Sequence, residues 1–296
     1  MDTHAAYKSR WLPWVLLFPT FAILLAFLYY PTFETFKLSL YRVAFLGLRK
    51  KFVGLANYKE LFTNPEYLHI FWNTIVFAFF VVMLSMAIGL ALSVLANQKV
   101  SGWRFYRLFL IWPYALSPAV AGVIFLFLFN EQSGIVNYLL KVTFGISPNW
   151  LTNPRLAMAL IIFAAVWKNV GYNVVFYIAG LQNLPGEVLE AALIDGASSW
   201  QRFWKITFPL LSPMTFFLLI INTIYAFFEA FPFVDLLTKG GPSDATNILI
   251  FNIYRDGFEY YKTGMAAAQS VILFVAVVFL TVMQFRLGEN KVHYGS

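Results

Sequence analysis

The chain has 296 residues, of which 60% are hydrophobic, 20% aromatic and only 12% charged. Soluble domains carry about 25% charged residues, so this composition excludes a soluble globular enzyme, a disordered chain and a disulfide-stapled scaffold. The absence of cysteine also excludes thiolate nucleophiles, cysteine zinc sites and iron–sulfur clusters. The net charge of +7 comes from basic residues scattered through short loops, the pattern of a polytopic membrane protein and not of a nucleic-acid binder.

A hydrocarbon core about 30 Å thick requires roughly 20 apolar residues per helix. Six stretches meet that length, over 11–30, 70–96, 108–129, 156–181, 208–228 and 264–285, and predict an all-α transmembrane fold with 1–296 as one domain. Before the first stretch, Lys8 and Arg10 stand where a signal peptide carries its charges. The apolar run is longer than a signal h-region and no small-residue cleavage site follows, so it reads as a retained anchor bracketed by Trp11, Trp14, Tyr29 and Tyr30. The basic run Arg49-Lys50-Lys51 in the next loop reads as solvated charge. In the third stretch Pro113 and Pro118 remove backbone donors and predict a bent helix, which fits a gate and a static packing kink equally. Lys and Arg are denser in the loops on the side that holds both termini, which predicts that this side is cytoplasmic.

Spans four and five carry the polar residues. Asn169, Tyr172 and Asn173 share one face of the fourth, with Lys168 at its margin, and Asn222, Tyr225 and Glu229 form a stripe at i, i+3 and i+7 on the fifth. Polar groups inside spans tend to face a bundle interior or a wet cavity, so these seven residues are the candidate substrate path; hydrogen bonding between helices is the competing reading. Lys168 either attracts an anionic substrate or pairs with a carboxylate of another subunit. His4, His69 and His293 are too far apart in sequence to suggest a metal site, and no Gly-x-x-x-x-Gly-Lys-Ser/Thr phosphate cradle occurs.

The segment 182–207 joins spans four and five. Pro185 suits a helix start, Glu187 and Glu190 complement the positive N-terminal end of that helix, and Gly196 suits its stop. Ser198 with Gln201 predicts a capping box for a second short helix that carries Trp200, Phe203 and Ile206 on one side before Pro209 turns the chain into span five. The prediction is two short helices around a glycine break, flat against the membrane.

Glu190-Ala191-Ala192, Asp195-Gly196-Ala197 and the following Phe203, Ile206 and Pro209 resemble the EAA loop of the membrane subunits of ABC importers, with Phe208 in place of the usual leucine. Gly240-Gly241-Pro242, Ala245-Thr246 and Ile253-Tyr254 resemble the maltose-type carbohydrate permeases of that family. Phe52-Val53-Gly54-Leu55, Pro113-Tyr114-Ala115, Tyr225-Ala226-Phe227-Phe228 and Ala267-Ala268-Gln269-Ser270 are similar to its glycerol-3-phosphate branch. The resemblance implies a six-span type I importer permease of the bacterial inner membrane, with both termini cytoplasmic and no enzymatic activity of its own. It implies a cytoplasmic coupling loop over 182–207 that docks on a separate ATPase dimer through Glu190, Ala191, Ala192, Asp195, Gly196 and Ala197. Its implied partners are that ATPase, which would hold ATP and Mg, a second homologous permease, an extracytoplasmic solute-binding protein and membrane lipid; no cofactor is implied in this chain. The implied cargo is glycerol-3-phosphate or a related glycerophosphodiester or polyol. Another sugar or oligosaccharide of the family is the alternative, and an ion-coupled secondary transporter is the rival outside it.

Overall fold

The computed structural model of the protein describes residues 11–44, 49–98 and 102–288; Lys8, Arg10, His4 and His293 lie outside them. The chain divides into two compact units, one of Met1–Thr63 with Ile253–Ile272 and one of Asn64–Asn252 with Leu273–Ser296.

The first unit opens with α1, Leu12–Leu38, a 27-residue apolar helix long enough to cross a membrane. It extends past the expected end at residue 30 because Pro31 falls in the first turn of a renewed helical segment, where its missing N–H is no loss. Thr32 and Thr35 in that extension donate their hydroxyls to the Leu28 and Pro31 carbonyls at 2.7 and 2.9 Å, so they carry no unmet polar group. None of the helix's residues is buried. After it comes the one described hairpin, β1 (Tyr41–Ala44) paired antiparallel with β2 (Arg49–Phe52), with Tyr41 opposite Phe52 in an edge-to-face ring contact. In α2, Ala56–Thr63, the buried Asn57 donates to the Ser39 and Tyr41 carbonyls at 2.8 and 3.0 Å and so ties the helix to the base of the hairpin.

The second unit holds α3 (Pro65–Ala96), α4 (Trp103–Ala115), α5 (Pro118–Leu128), α6 (Ile135–Phe144), α7 (Pro154–Gln182) and α8 (Gly186–Ile194). After them come α9 (Ser199–Arg202, carried on by a π turn at Phe203–Thr207) and α10 (Ser212–Leu237). Helices α11 (Leu249–Tyr254) and α12 (Thr263–Gly288) each have residues in both units.

Helices α3 and α7 start alike. Asn64 accepts the Glu66 N–H at 2.9 Å, Asn153 accepts those of Arg155 and Leu156 at 3.0 and 3.3 Å, and a proline follows each cap. Both helices therefore begin ahead of the apolar windows at 70 and 156. Small residues bring the two together: a Cβ at Gly89 would lie 2.5 Å from the Asn173 Cβ. Nearby, the Ser93 hydroxyl donates to the Gly89 carbonyl at 2.6 Å and lies 3.3 Å from the Val174 carbonyl on the facing helix. Phe77, Val81, Ile161, Ala165, Tyr177 and Leu218 are buried around this contact.

The third expected span is two half-helices. Helices α4 and α5 meet at 99°, a sharper break than a bent helix over 108–129. Ser117 precedes Pro118, and the proline ring forces that position out of the helical region; Leu116 and Ser117 are both extended, at ψ 145 and 147. Ser117 then caps α5, accepting the Val120 N–H at 3.2 Å. Five described helices are long and apolar enough to span, or six if this broken pair counts as one.

Candidate coupling hairpin and substrate path

Helix α8 begins directly after Pro185, which occupies the capping position, and Glu187 lies in the first turn, where a carboxylate complements the exposed amides. Its end is fixed by Gly196 at φ +75, a left-handed conformation that costs an L side chain about 1–2 kcal/mol. That geometry sends the Gly196 N–H to the Leu193 carbonyl at 3.1 Å and the Ala197 N–H to the Ala192 carbonyl at 3.0 Å, the double bond of a Schellman stop. Two residues on, Ser198 and Gln201 close a reciprocal capping box: the Gln201 N–H donates to the serine hydroxyl at 3.3 Å and the Ser198 N–H to the glutamine carbonyl at 2.9 Å. The hairpin of α8 and α9 is thus held by its own backbone and by the Ser198 and Gln201 side chains.

Glu190, Ala191, Asp195 and Gly196 are exposed along this hairpin, Ala197 is half-buried, and Ala192 is buried against it. Between the acidic positions, Ile194 is 86% exposed and Leu193 55%. Leu193 and Ile194 therefore set apolar surface between the Glu190 and Asp195 carboxylates. On α9, Trp200 lies edge-on to Trp204 at 5.5 Å and Trp204 contacts Phe208 at 5.3 Å, with Arg202 and Lys205 interspersed. This mixture of indoles and cations suits the membrane–water boundary. The expected side of Trp200, Phe203 and Ile206 is thus shared with Trp204, because the π turn widens the helix at Phe203–Thr207.

The seven polar residues of spans four and five divide into two groups. Asn169, Asn173 and Asn222 form a buried clamp between α7 and α10. Asn169 and Asn173 donate to the Asn222 carbonyl, the second at 3.0 Å, and Asn222 donates back to Asn173 at 2.8 Å and to the Leu218 carbonyl at 2.7 Å. Tyr225 is also buried, and its hydroxyl donates to the Ala165 carbonyl at 3.2 Å. These four residues join helices to one another.

Lys168, Tyr172 and Glu229 have no such hydrogen bonds among the described residues. The Lys168 ammonium lies 5.1 Å from the centre of the Tyr114 ring, a cation–π contact, and makes no ion pair among the described residues. The Tyr114 ring is 5.3 Å from Tyr172, Tyr172 is 4.6 Å from Phe176, and Phe176 is 5.2 Å from Phe217, so an aromatic row continues from the lysine. Glu229 is exposed. The partnership of Tyr114 with Lys168 has one sequence cue, Gly171. A Cβ there would lie 3.0 Å from the Ile111 carbonyl and from the Tyr114 Cβ, so the missing side chain is what lets α4 lie on α7.

An apolar helix bundle with a self-capped, exposed hairpin between two polar spans is the arrangement of a transport subunit. Residues 9–290 match the family described as binding-protein-dependent transport system inner membrane component, and the chain belongs to that family as a multi-pass transport component and not an enzyme. Its similar relatives include the protein named sn-glycerol-3-phosphate transport system permease protein UgpA from Brucella abortus biovar 1, 43% identical over 288 residues that cover 97% of this chain and 98% of that one. The protein of the same name from Escherichia coli strain UTI89 is 44% identical over 293 residues, 99% of each chain. Among solved structures, a chain of a bacterial alginate ABC transporter, in complex with an alginate pentasaccharide-bound periplasmic protein, superposes with a TM-score of 0.85 at 20% identity, over 97% of this chain and 96% of that one.

Proposed function

We propose that this chain is one permease half of an ATP-driven importer that carries glycerol-3-phosphate, or a related glycerophosphodiester or polyol, across the inner membrane. The observation that carries the reading is 43–44% identity along nearly the whole chain to permeases named for sn-glycerol-3-phosphate transport. A second homologous permease completes the path, a solute-binding protein delivers cargo from outside, and an ATPase dimer holding ATP and Mg engages the hairpin from the cytoplasm. Counting the broken pair as one span, four crossings precede the hairpin and two follow it, so with the hairpin in the cytoplasm both termini are cytoplasmic.

In this reading Glu190 meets a cation of the ATPase, Asp195 adds a second carboxylate to the docking face, and Ala191, Gly196 and Ala197 keep the surface low enough for backbone-close docking. Ala192 supports them from beneath. Closure of the ATPase dimer moves the hairpin, and α7 and α10, which flank it and are clamped by Asn169, Asn173 and Asn222, move as a piece. The cargo binds differently to the two arrangements and so is handed from one face to the other. On the path, Lys168 with Tyr114 beneath it attracts the phosphate, and Tyr172 and Glu229 take hydroxyls at the opposite end of the cargo.

Uptake into vesicles containing the whole importer tests the reading. Transport requires the binding protein outside and ATP inside; gradient-driven uptake by this chain alone overturns it. Lys168→Met lowers uptake of the phosphorylated cargo about tenfold more than that of a neutral polyol, the worth of one charge-assisted hydrogen bond. Equal losses remove Lys168 from the phosphate site.

A further inference from the structure

We propose that the lengthwise groove between α3 and α7 holds one acyl chain of an anionic phospholipid, with its phosphate on Arg155. The groove encloses about 670 Å³ and is walled by Trp72, Val76 and Phe80 of α3 and by Met158 and Ile162 of α7, with Arg155 at its mouth. Its walls are apolar along their length and polar only at that one end. The α7 wall descends roughly 16 Å from Arg155 to Val166, and the α3 wall roughly 24 Å from Trp72 to Ile88, at 1.5 Å per residue. The stretch walled by both helices is about the depth of one leaflet of a 30 Å hydrocarbon core.

The mouth has the chemistry of a headgroup site. Arg155 is exposed, and although its backbone N–H is used in the Asn153 cap, its guanidinium has no hydrogen bond or ion pair among the described residues. A guanidinium binds phosphate through two parallel N–H donors. Trp72, 61% exposed, lies at the same end of the groove, where an indole suits the boundary between headgroups and hydrocarbon. Apolar depth for one leaflet, an unpaired cation above it and a boundary tryptophan together fit a lipid whose headgroup adds no positive charge of its own. The sidedness proposed above decides only that the outer leaflet supplies this lipid; the groove and its cation do not depend on it.

The test measures lipid and not transport, so its failure is separable from failure of the importer reading. The whole importer is assembled in membranes of phosphatidylglycerol and phosphatidylcholine, extracted, washed in detergent and analysed for retained lipid by mass spectrometry. Phosphatidylglycerol is enriched over phosphatidylcholine in the native protein, Arg155→Ala lowers its retention about tenfold, and Arg155→Lys restores part of it. Ala159→Trp, which fills the groove, removes the retained lipid altogether. Unchanged retention in Arg155→Ala and Ala159→Trp overturns the proposal, as does efficient cross-linking of Ile162→Cys to a span of the second permease, which would make a helix the occupant.

Discussion

Gly89 and Gly186 are both helical glycines, and their surroundings give opposite expectations. A side chain at Gly89 would run into Asn173, whereas nothing lies within 4 Å of a Cβ at Gly186. Gly89→Val therefore pushes α3 off the asparagine clamp and costs about 1–3 kcal/mol as an overpacked contact. Gly186→Ala changes stability by less than about 0.5 kcal/mol, because Gly186 is the first residue of its helix and the advantage of alanine belongs to helix interiors. Melting of the two variants in detergent checks the pair, and equal shifts would contradict the packing. Asn222→Leu removes the hub of the clamp, takes from the Asn169 amide its bond to Asn222 and leaves the Asn173 amide with the Asn169 carbonyl alone. The cost is on the order of 1–2 kcal/mol, since interhelical hydrogen bonds in membranes average about 0.6 kcal/mol each. A double-mutant cycle with Asn173→Leu gives a coupling energy if the two side chains share their bond, and additive losses if they do not. The sequence exposes the seven polar residues and their shared faces, because helical spacing is local. It does not reveal which of them are spent on one another, because the reach of Asn222 to Asn169 and Asn173 spans about fifty residues of chain and is set by how α10 packs on α7.

At the scale of elements, the hairpin is the part most legible in advance. Proline, glycine, Ser198 and Gln201 act over three or four residues, so the two short helices and the box between them follow from the residue order. The span starts are less legible, since the Asn-Pro caps at 64–65 and 153–154 lie outside the apolar windows that define spans. Prolines in the third span announce a disturbance, but the 99° angle depends on both residues between the half-helices being extended. The hairpin supports a graded prediction. Gly196 needs a left-handed backbone but has open space around it, so the penalty of a substitution is conformational plus whatever the side chain does to docking. Asparagine, which tolerates that conformation best after glycine, retains part of the co-purification with the ATPase. Valine loses most of it through backbone strain, and aspartate loses it through strain and added charge. Full co-purification of Gly196→Val would remove the hairpin from the docking surface.

For the molecule as a whole, the broken third span has a consequence for solvent. The last carbonyls of α4 and the first amides of α5 lie part-way along a stretch otherwise long enough to cross the bilayer, where hydrocarbon offers them nothing. Ser117 meets the Val120 amide, Pro118 has no N–H to satisfy, and Leu116 donates to the Pro113 carbonyl; the Ala119 amide and the other end carbonyls take water or protein. A wedge of aqueous medium reaching Ser117 from one face of the membrane is the simplest supply, and because the protein contains no native thiol, it can be read without background. Ser117→Cys should react with a membrane-impermeant thiol reagent in sealed vesicles of the importer, at a rate that changes when non-hydrolysable nucleotide traps the ATPase closed. A thiol inert from both faces in every nucleotide state would mean the notch is dry and filled by the second permease.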